Sequence, residues 1–188
     1  MPIILPLAVM AIVIIIAITA SKGQQDTLRK LASHLPGTVK KWSVVPTFSG
    51  DYQGLKFFIA ITPGGKNSPP RLQIALNKKP SFKLSIYKEN IFTLWAEKIG
   101  LVREVKTGDT AFDGEFLIFS NRAQQALMYL SNAAYKENIR KIFNYGFSSF
   151  TAGGQKVVIQ KTYSSDFDLE PNKVLDILRV LSSLTRGL

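Results

Sequence analysis

The chain has 188 residues, of which 46% are apolar and 20% charged, with a formal charge of +11. That balance lies far from the disordered regime and suffices for one folded domain. The absence of cysteine excludes disulfides, thiolate metal sites and cysteine nucleophiles, and a lone histidine, His34, excludes a Ser-His-Asp triad or a multi-histidine metal site in the folded part.

Met1 to Ser21 carries no charged side chain, and residues 3–20 are almost wholly Ile, Leu, Val, Ala and Met. As a helix this run reaches about 27 Å, close to the hydrocarbon thickness of a bilayer. Pro2 and Pro6 fall in the first turns, where a missing N–H costs little. A cleaved signal peptide would want a basic residue ahead of the apolar run and a small-x-small cleavage site, whereas cleavage after Ala20 would put Ile18 at a small-residue position. The expectation is therefore a transmembrane anchor over 1–21, with Ala8 and Ala11 on one face as the candidate helix–helix contact.

The excess charge is uneven: Lys22 to Lys106 holds 15 Lys/Arg against 5 Asp/Glu, and the rest of the chain 9 against 8. Lys22, Arg29, Lys30, Lys40 and Lys41 follow the apolar run closely and none precede it. The positive-inside rule then puts the following domain in the cytoplasm, a periplasmic domain being the alternative. These five residues are also the candidate contacts to anionic lipid, worth about 1 kcal/mol each at such a surface. Residues 22–41 read as a basic amphipathic connector, because Leu28, Leu31, Ala32 and Leu35 lie on one helical face until Pro36-Gly37 stops it. Periodicity leaves open whether that stripe meets lipid headgroups or the chain's own domain.

Residues 42–188 read as one soluble α+β domain. Leu55, Phe57, Ile59 and Ile61, then Leu72, Ile74 and Leu76, then Phe82, Leu84 and Ile86 repeat with a period of two, the mark of half-buried antiparallel strands. Gly50-Asp51 and the stretch from Pro63 to Pro70 supply turns. A weakly marked helix is expected over 90–99. Phe116 to Ser120 is a strand, and Asn121 with Gln124 forms a capping box ahead of a helical stripe of Ala123, Ala126, Leu127 and Leu130. Tyr135, Ile139, Ile142 and Phe143 mark a second helix stopped near Gly146. Phe147 to Phe150 and Lys156 to Tyr163 pair as a hairpin through Gly153-Gly154, and Pro171 opens a last helix with Val174, Ile177, Leu178, Leu181 and Leu184 inward. Strands clustered before and between helices, without regular alternation, indicate an antiparallel sheet with packed helices.

Chemistry is sparsely marked. Asp109, Asp113 and Glu115 could gather around a hard cation, but their spacing fits no EF-hand loop, and a turn set by Gly108 and Asp109 ahead of Phe112 and Phe116 explains them better. Gly64-Gly65-Lys66 lacks the spacing and the Ser/Thr of a phosphate loop. Basic residues beside aromatics, as in Lys56-Phe57-Phe58, Phe82-Lys83 and Tyr87-Lys88, suit single-stranded nucleic acid, yet a strand with one polar and one core face produces the same pattern.

From Thr107 to Phe143 an acidic residue and phenylalanines precede a strand, followed by a helix of small residues and leucines and then a second helix. This stretch resembles a domain-of-unknown-function family of bacterial membrane-anchored proteins, with Asp113, Phe116, Ser120, Ala126 and Leu130 at the matching positions. The resemblance implies a membrane protein with an α+β domain and brings no catalytic residue.

The expected function is a non-enzymatic, membrane-tethered interaction module, an accessory subunit of a larger membrane assembly, with no cofactor, metal or small-molecule substrate. The bilayer and other membrane subunits are the expected partners, and nucleic acid is disfavoured. The alternatives are a basic domain binding anionic lipid or nucleic acid, and then a metal-dependent enzyme using Asp109 and Asp113. An uncleaved anchor predicts an intact mass that includes Met1 and a domain shielded from protease added to spheroplasts. A mature chain starting near Ser21, or digestion from outside, would refute it.

Overall fold

The computed structural model describes residues 23–40, 45–66, 68–88 and 103–188. The anchor over 1–21 with Ala8 and Ala11, together with Lys22, Lys41 and the helix expected over 90–99, lies outside the described residues. Among the described residues, no helix is long and apolar enough to cross a membrane.

The fold is α+β, built on one antiparallel sheet. Helix α1 runs over 23–32. Strands β1 (Gly37–Val39), β2 (Thr47–Tyr52), β3 (Leu55–Thr62) and β4 (Arg71–Leu76) follow as a meander. Then come β5 (Leu84–Lys88), β6 (Arg103–Glu104), α2 (Thr110–Glu115), β7 (Phe116–Ser120), α3 (Ala123–Leu130) and α4 (Ala133–Asn144). The chain ends with β8 (Ser149–Gly153), β9 (Lys156–Thr162), a 3-10 turn (Asp166–Leu169) and α5 (Pro171–Thr185). The described strands form one sheet in the order β1-β2-β3-β4-β9-β8-β5-β7-β6, so the last hairpin sits between β4 and β5.

Register follows from alternation. Phe48, Ile59, Ile74, Ile159, Phe150, Ile86 and Ile118 are successive partners across seven strands, and all are buried. Slipping any one strand by a residue would turn its apolar set to the other face. The same face collects Ala126, Tyr129 and Leu130 of α3, Ile139, Ile142 and Phe143 of α4, and the five expected residues of α5 into a single core. Gly146, at φ +85°, follows α4 and supplies the left-handed turn that ends it.

Three local expectations are corrected. The β2–β3 turn is Gln53-Gly54, both at positive φ as a two-residue hairpin turn requires, and Asp51 Oδ1 accepts the Gly54 N–H at 2.8 Å. Gly50 instead lies within β2, where an added Cβ would come within 2.3 Å of the Pro36 carbonyl oxygen and 2.7 Å of the Phe57 ring. It is glycine because β1 and β2 approach closely there. Asn121 does not cap α3: its side-chain oxygen accepts the Lys83 N–H at 2.7 Å, tying β7 to the entry of β5. The buried face of α3 is accordingly turned, with Tyr129 inside, its hydroxyl donating to the Leu184 carbonyl at 2.9 Å, and Leu127 outside.

The amphipathic stripe of residues 22–41 has a definite destination. Leu28, Leu31 and Leu35 are buried in the common core, and residues 37–39 form the edge strand β1. The folded unit therefore includes the segment read as a connector. A fragment beginning at Gly23 is expected to unfold cooperatively in urea followed by circular dichroism. One beginning at Trp42, which lacks three core leucines and β1, should aggregate or unfold at much lower urea. Leu31→Ala in the longer fragment should cost about 2–5 kcal/mol, the usual range for emptying a buried leucine site.

Candidate functional site

Helix α1 meets the 3-10 turn and the start of α5 across 139 residues of sequence. Thr27 Oγ1 donates to Asp166 Oδ1 at 2.9 Å, and the Tyr163 hydroxyl donates to the same oxygen at 2.8 Å. The Tyr163 and Thr27 hydroxyls hold the Asp166 carboxyl below its ordinary range. Burial, and then the bond to Asp166, push the Tyr163 phenol up to about 12. Glu170 caps α5 by accepting the N–H groups of Asn172 and Lys173 at 3.2 and 2.9 Å, with Pro171 at the first helical position.

Between these elements lies a groove of about 280 Å³, whose walls include Leu31 and His34 on one side and Phe167, Leu169 and Pro171 on the other. Phe167 is 83% exposed at its rim. Lys30 also lines the groove, with its ammonium 4.0 Å from Asp166.

Beneath the groove the 3-10 turn is fixed by a buried ion pair. Lys161, an inward residue of β9, pairs with Asp168, their side chains being 8% and 7% exposed. The ammonium also donates to the Tyr145 carbonyl at 3.2 Å and lies over the Phe147 ring. The other Asp168 oxygen accepts from the Ser164 N–H at 2.9 Å and hydroxyl at 3.0 Å. Burial pushes the Asp168 carboxyl up, but Lys161 and the two Ser164 donors outweigh it and leave it below the ordinary value. A neighbouring network joins α4 to α5: the Tyr145 hydroxyl donates to Asp176, which also pairs with Lys141 at 2.9 Å and Arg179 at 3.3 Å.

The acidic cluster is committed to the fold. Asp109 caps α2 by accepting the Phe112 N–H at 3.1 Å and pairs with Lys136 at 2.8 Å; these bonds, Lys136 first, lower its carboxyl. Asp113 accepts from the Thr107 N–H and hydroxyl and the Gly108 N–H at 2.8–2.9 Å, which outweigh the upward push of burial. Glu115 pairs with Arg140 at 3.1 Å, and Arg140 and Lys136 both lie over the buried Phe112 ring. Among the described residues no three acidic or histidine side chains are grouped to hold a metal ion.

Of the candidate lipid contacts, Arg29 pairs with Asp26 at 3.1 Å, Lys30 borders the groove, and Lys40 is exposed just after β1. His34 falls in the turn after α1 and also borders the groove. Of the aromatics that stand beside basic residues, Phe57 and Phe82 are buried in the core, Tyr87 is half-buried and Phe58 is exposed. Sequence reasoning missed the segment from Ser164 to Glu170 altogether. Its signals were a lysine at a core position of β9 and the run Asp-Phe-Asp-Leu ahead of Pro171.

No protein-family model matches the chain. No curated protein matches it either. Among solved structures the fold is similar to the crystal structure of the mycobacterial trehalose monomycolate transport factor A, TtfA. The TM-score is 0.54 over 85% of this chain and 97% of that one, at 12% sequence identity. The likeness is one of fold.

Removing the Asp168 charge would leave Lys161 buried without its partner, so Asp168→Asn should destabilise the domain by about 3–5 kcal/mol in urea titrations at neutral pH. Because the folded carboxyl titrates below the unfolded one, its stabilisation is present above about pH 4 and is lost as pH falls through the lower folded value. Acid unfolding curves should therefore be steeper below about pH 4 in the wild type than in the Asp168→Asn variant. Equal acid sensitivity would show that Asp168 does not contribute to the pH dependence.

Proposed function

We propose that the protein is a non-enzymatic, membrane-tethered interaction module that serves as an accessory subunit of a larger membrane assembly, with its domain on the cytoplasmic side. The observation that carries this reading is the way α1 joins the domain. Ser21 ends the uncharged apolar run, α1 is already helical at Gly23, and its leucines are part of the domain core. A domain that is merely tethered needs a flexible linker, whereas here Lys22 alone stands in sequence between the apolar run and α1, and residues 22–27 separate that run from the first core leucine, Leu28. Such a joint suits a domain presented to a neighbour in the same membrane.

Two further observations on the structure support it, and the sequence adds a third. Asp109 and Asp113, the carboxylates of the metal-dependent alternative, are held by protein donors and by Lys136, which favours a structural over a catalytic role. The fold is shared with a protein named for the transport of trehalose monomycolate, so a domain of this architecture can serve as a transport factor. Ala8 and Ala11, three apart in the sequence, would share one face of an anchor helix and let a neighbouring helix approach closely.

Replacing residues 3–20 with polyleucine should preserve membrane insertion and weaken co-purification of the partner from gently solubilised membranes. A native protein that runs as a lone monomer in mild detergent and captures nothing specifically would overturn the accessory-subunit reading and leave a simple surface tether.

A further inference from the structure

We propose that the groove between α1 and the 3-10 turn takes one acyl chain of a membrane phospholipid, with Lys30 and His34 meeting its phosphate. The inference deepens the reading above and rests on its membrane tether.

The carboxylates that line the groove are already engaged, Asp166 also having the Lys30 ammonium 4.0 Å from its second oxygen. Asp166 accepts from Thr27 and Tyr163, and both Glu170 oxygens cap α5, so the floor offers little that a polar ligand could use. What remains is apolar wall from Leu31, Phe167, Leu169 and Pro171, with two basic side chains, Lys30 and His34, at the border. An amphiphile with an apolar tail and an anionic head matches that division. The groove's volume of about 280 Å³ holds a segment of one narrow hydrocarbon chain.

Chain connectivity places the groove within reach of lipid. Thr27 follows Ser21 by six residues, a span of at most about 22 Å even when fully extended. With the apolar run in a bilayer, the groove mouth is therefore held near the headgroups. Phe167, 83% exposed on the rim, is a large apolar side chain that contact with the bilayer boundary would bury.

The test uses the full chain in phosphatidylglycerol-containing vesicles doped with a phosphatidylglycerol that carries a diazirine on one acyl chain. Photo-adducts mapped by peptide mass spectrometry are expected within residues 27–34 and 166–171, besides those within 3–20 that report insertion. Filling the groove with Thr27→Trp or, at an exposed position, His34→Trp should lower the groove adducts about ten-fold relative to the 3–20 adducts, the effect of withdrawing roughly two methylenes from an apolar site. Circular dichroism checks that each variant is folded.

Adducts confined to 3–20 in the wild type, or groove adducts unchanged in both folded variants, would overturn the proposal while leaving the tether intact. Absence of adducts at both places would overturn the tether as well. A photoreactive residue at position 167 that traps a protein instead of lipid would assign the groove to a protein partner, and the acyl-chain proposal would fall.

Discussion

Seven side chains, Phe48, Ile59, Ile74, Ile159, Phe150, Ile86 and Ile118, form one continuous buried row at right angles to the strands. Each fully buried member contributes on the order of 1.5–3 kcal/mol of transfer free energy, so the row alone weighs heavily against a net stability of about 5–15 kcal/mol. Its larger effect is on geometry. Because strand side chains alternate, fixing this row fixes which residues of every central strand face the helices. Lys161, two residues beyond Ile159 on β9, is thereby carried to the inner face as well.

An inward lysine has to be neutralised, and that need shapes the end of the sheet. Asp168 supplies the charge from a 3-10 turn only a few residues downstream, and Ser164 occupies its second oxygen. A pair this deep gains little over an apolar pair of the same volume, but it specifies where the turn lies. With the turn fixed, Asp166 faces Thr27 of α1 and Phe167 is left projecting, which gives the groove its walls. The proposed lipid site thus depends on a sheet position several residues away from it.

Elements governed by near neighbours were legible. Period-two runs located β3, β4 and β5, Gly153-Gly154 located the β8–β9 hairpin, Pro171 located α5, and the spacing of Leu28, Leu31 and Leu35 gave an apolar stripe whose partner only the fold shows. What failed was information that lives between distant segments. Gly50-Asp51 has the composition of a turn, yet Gly50 is small because the Pro36 carbonyl and Phe57 ring crowd it, a fact of strand packing. Asn121 has the composition of a cap, yet its partner is Lys83, on the far side of β5 and β6. The groove was least legible, since its two walls come from opposite ends of the described chain and no local pattern links residue 27 to residue 166.

The placement of the β8–β9 hairpin bears on how the chain is made. The strands β4 and β5 are both complete by residue 88, but the pair that bridges them ends at residue 162. During synthesis, two hydrogen-bonding edges rich in Leu and Ile stand unpaired until most of the chain has left the ribosome, and such edges invite pairing with other chains. At roughly 5–20 residues per second, the interval of some 75 residues lasts several seconds or longer. Delivery of the apolar run over residues 3–20 to a membrane before that interval ends would keep the nascent chains dispersed, and so guard the sheet until it closes.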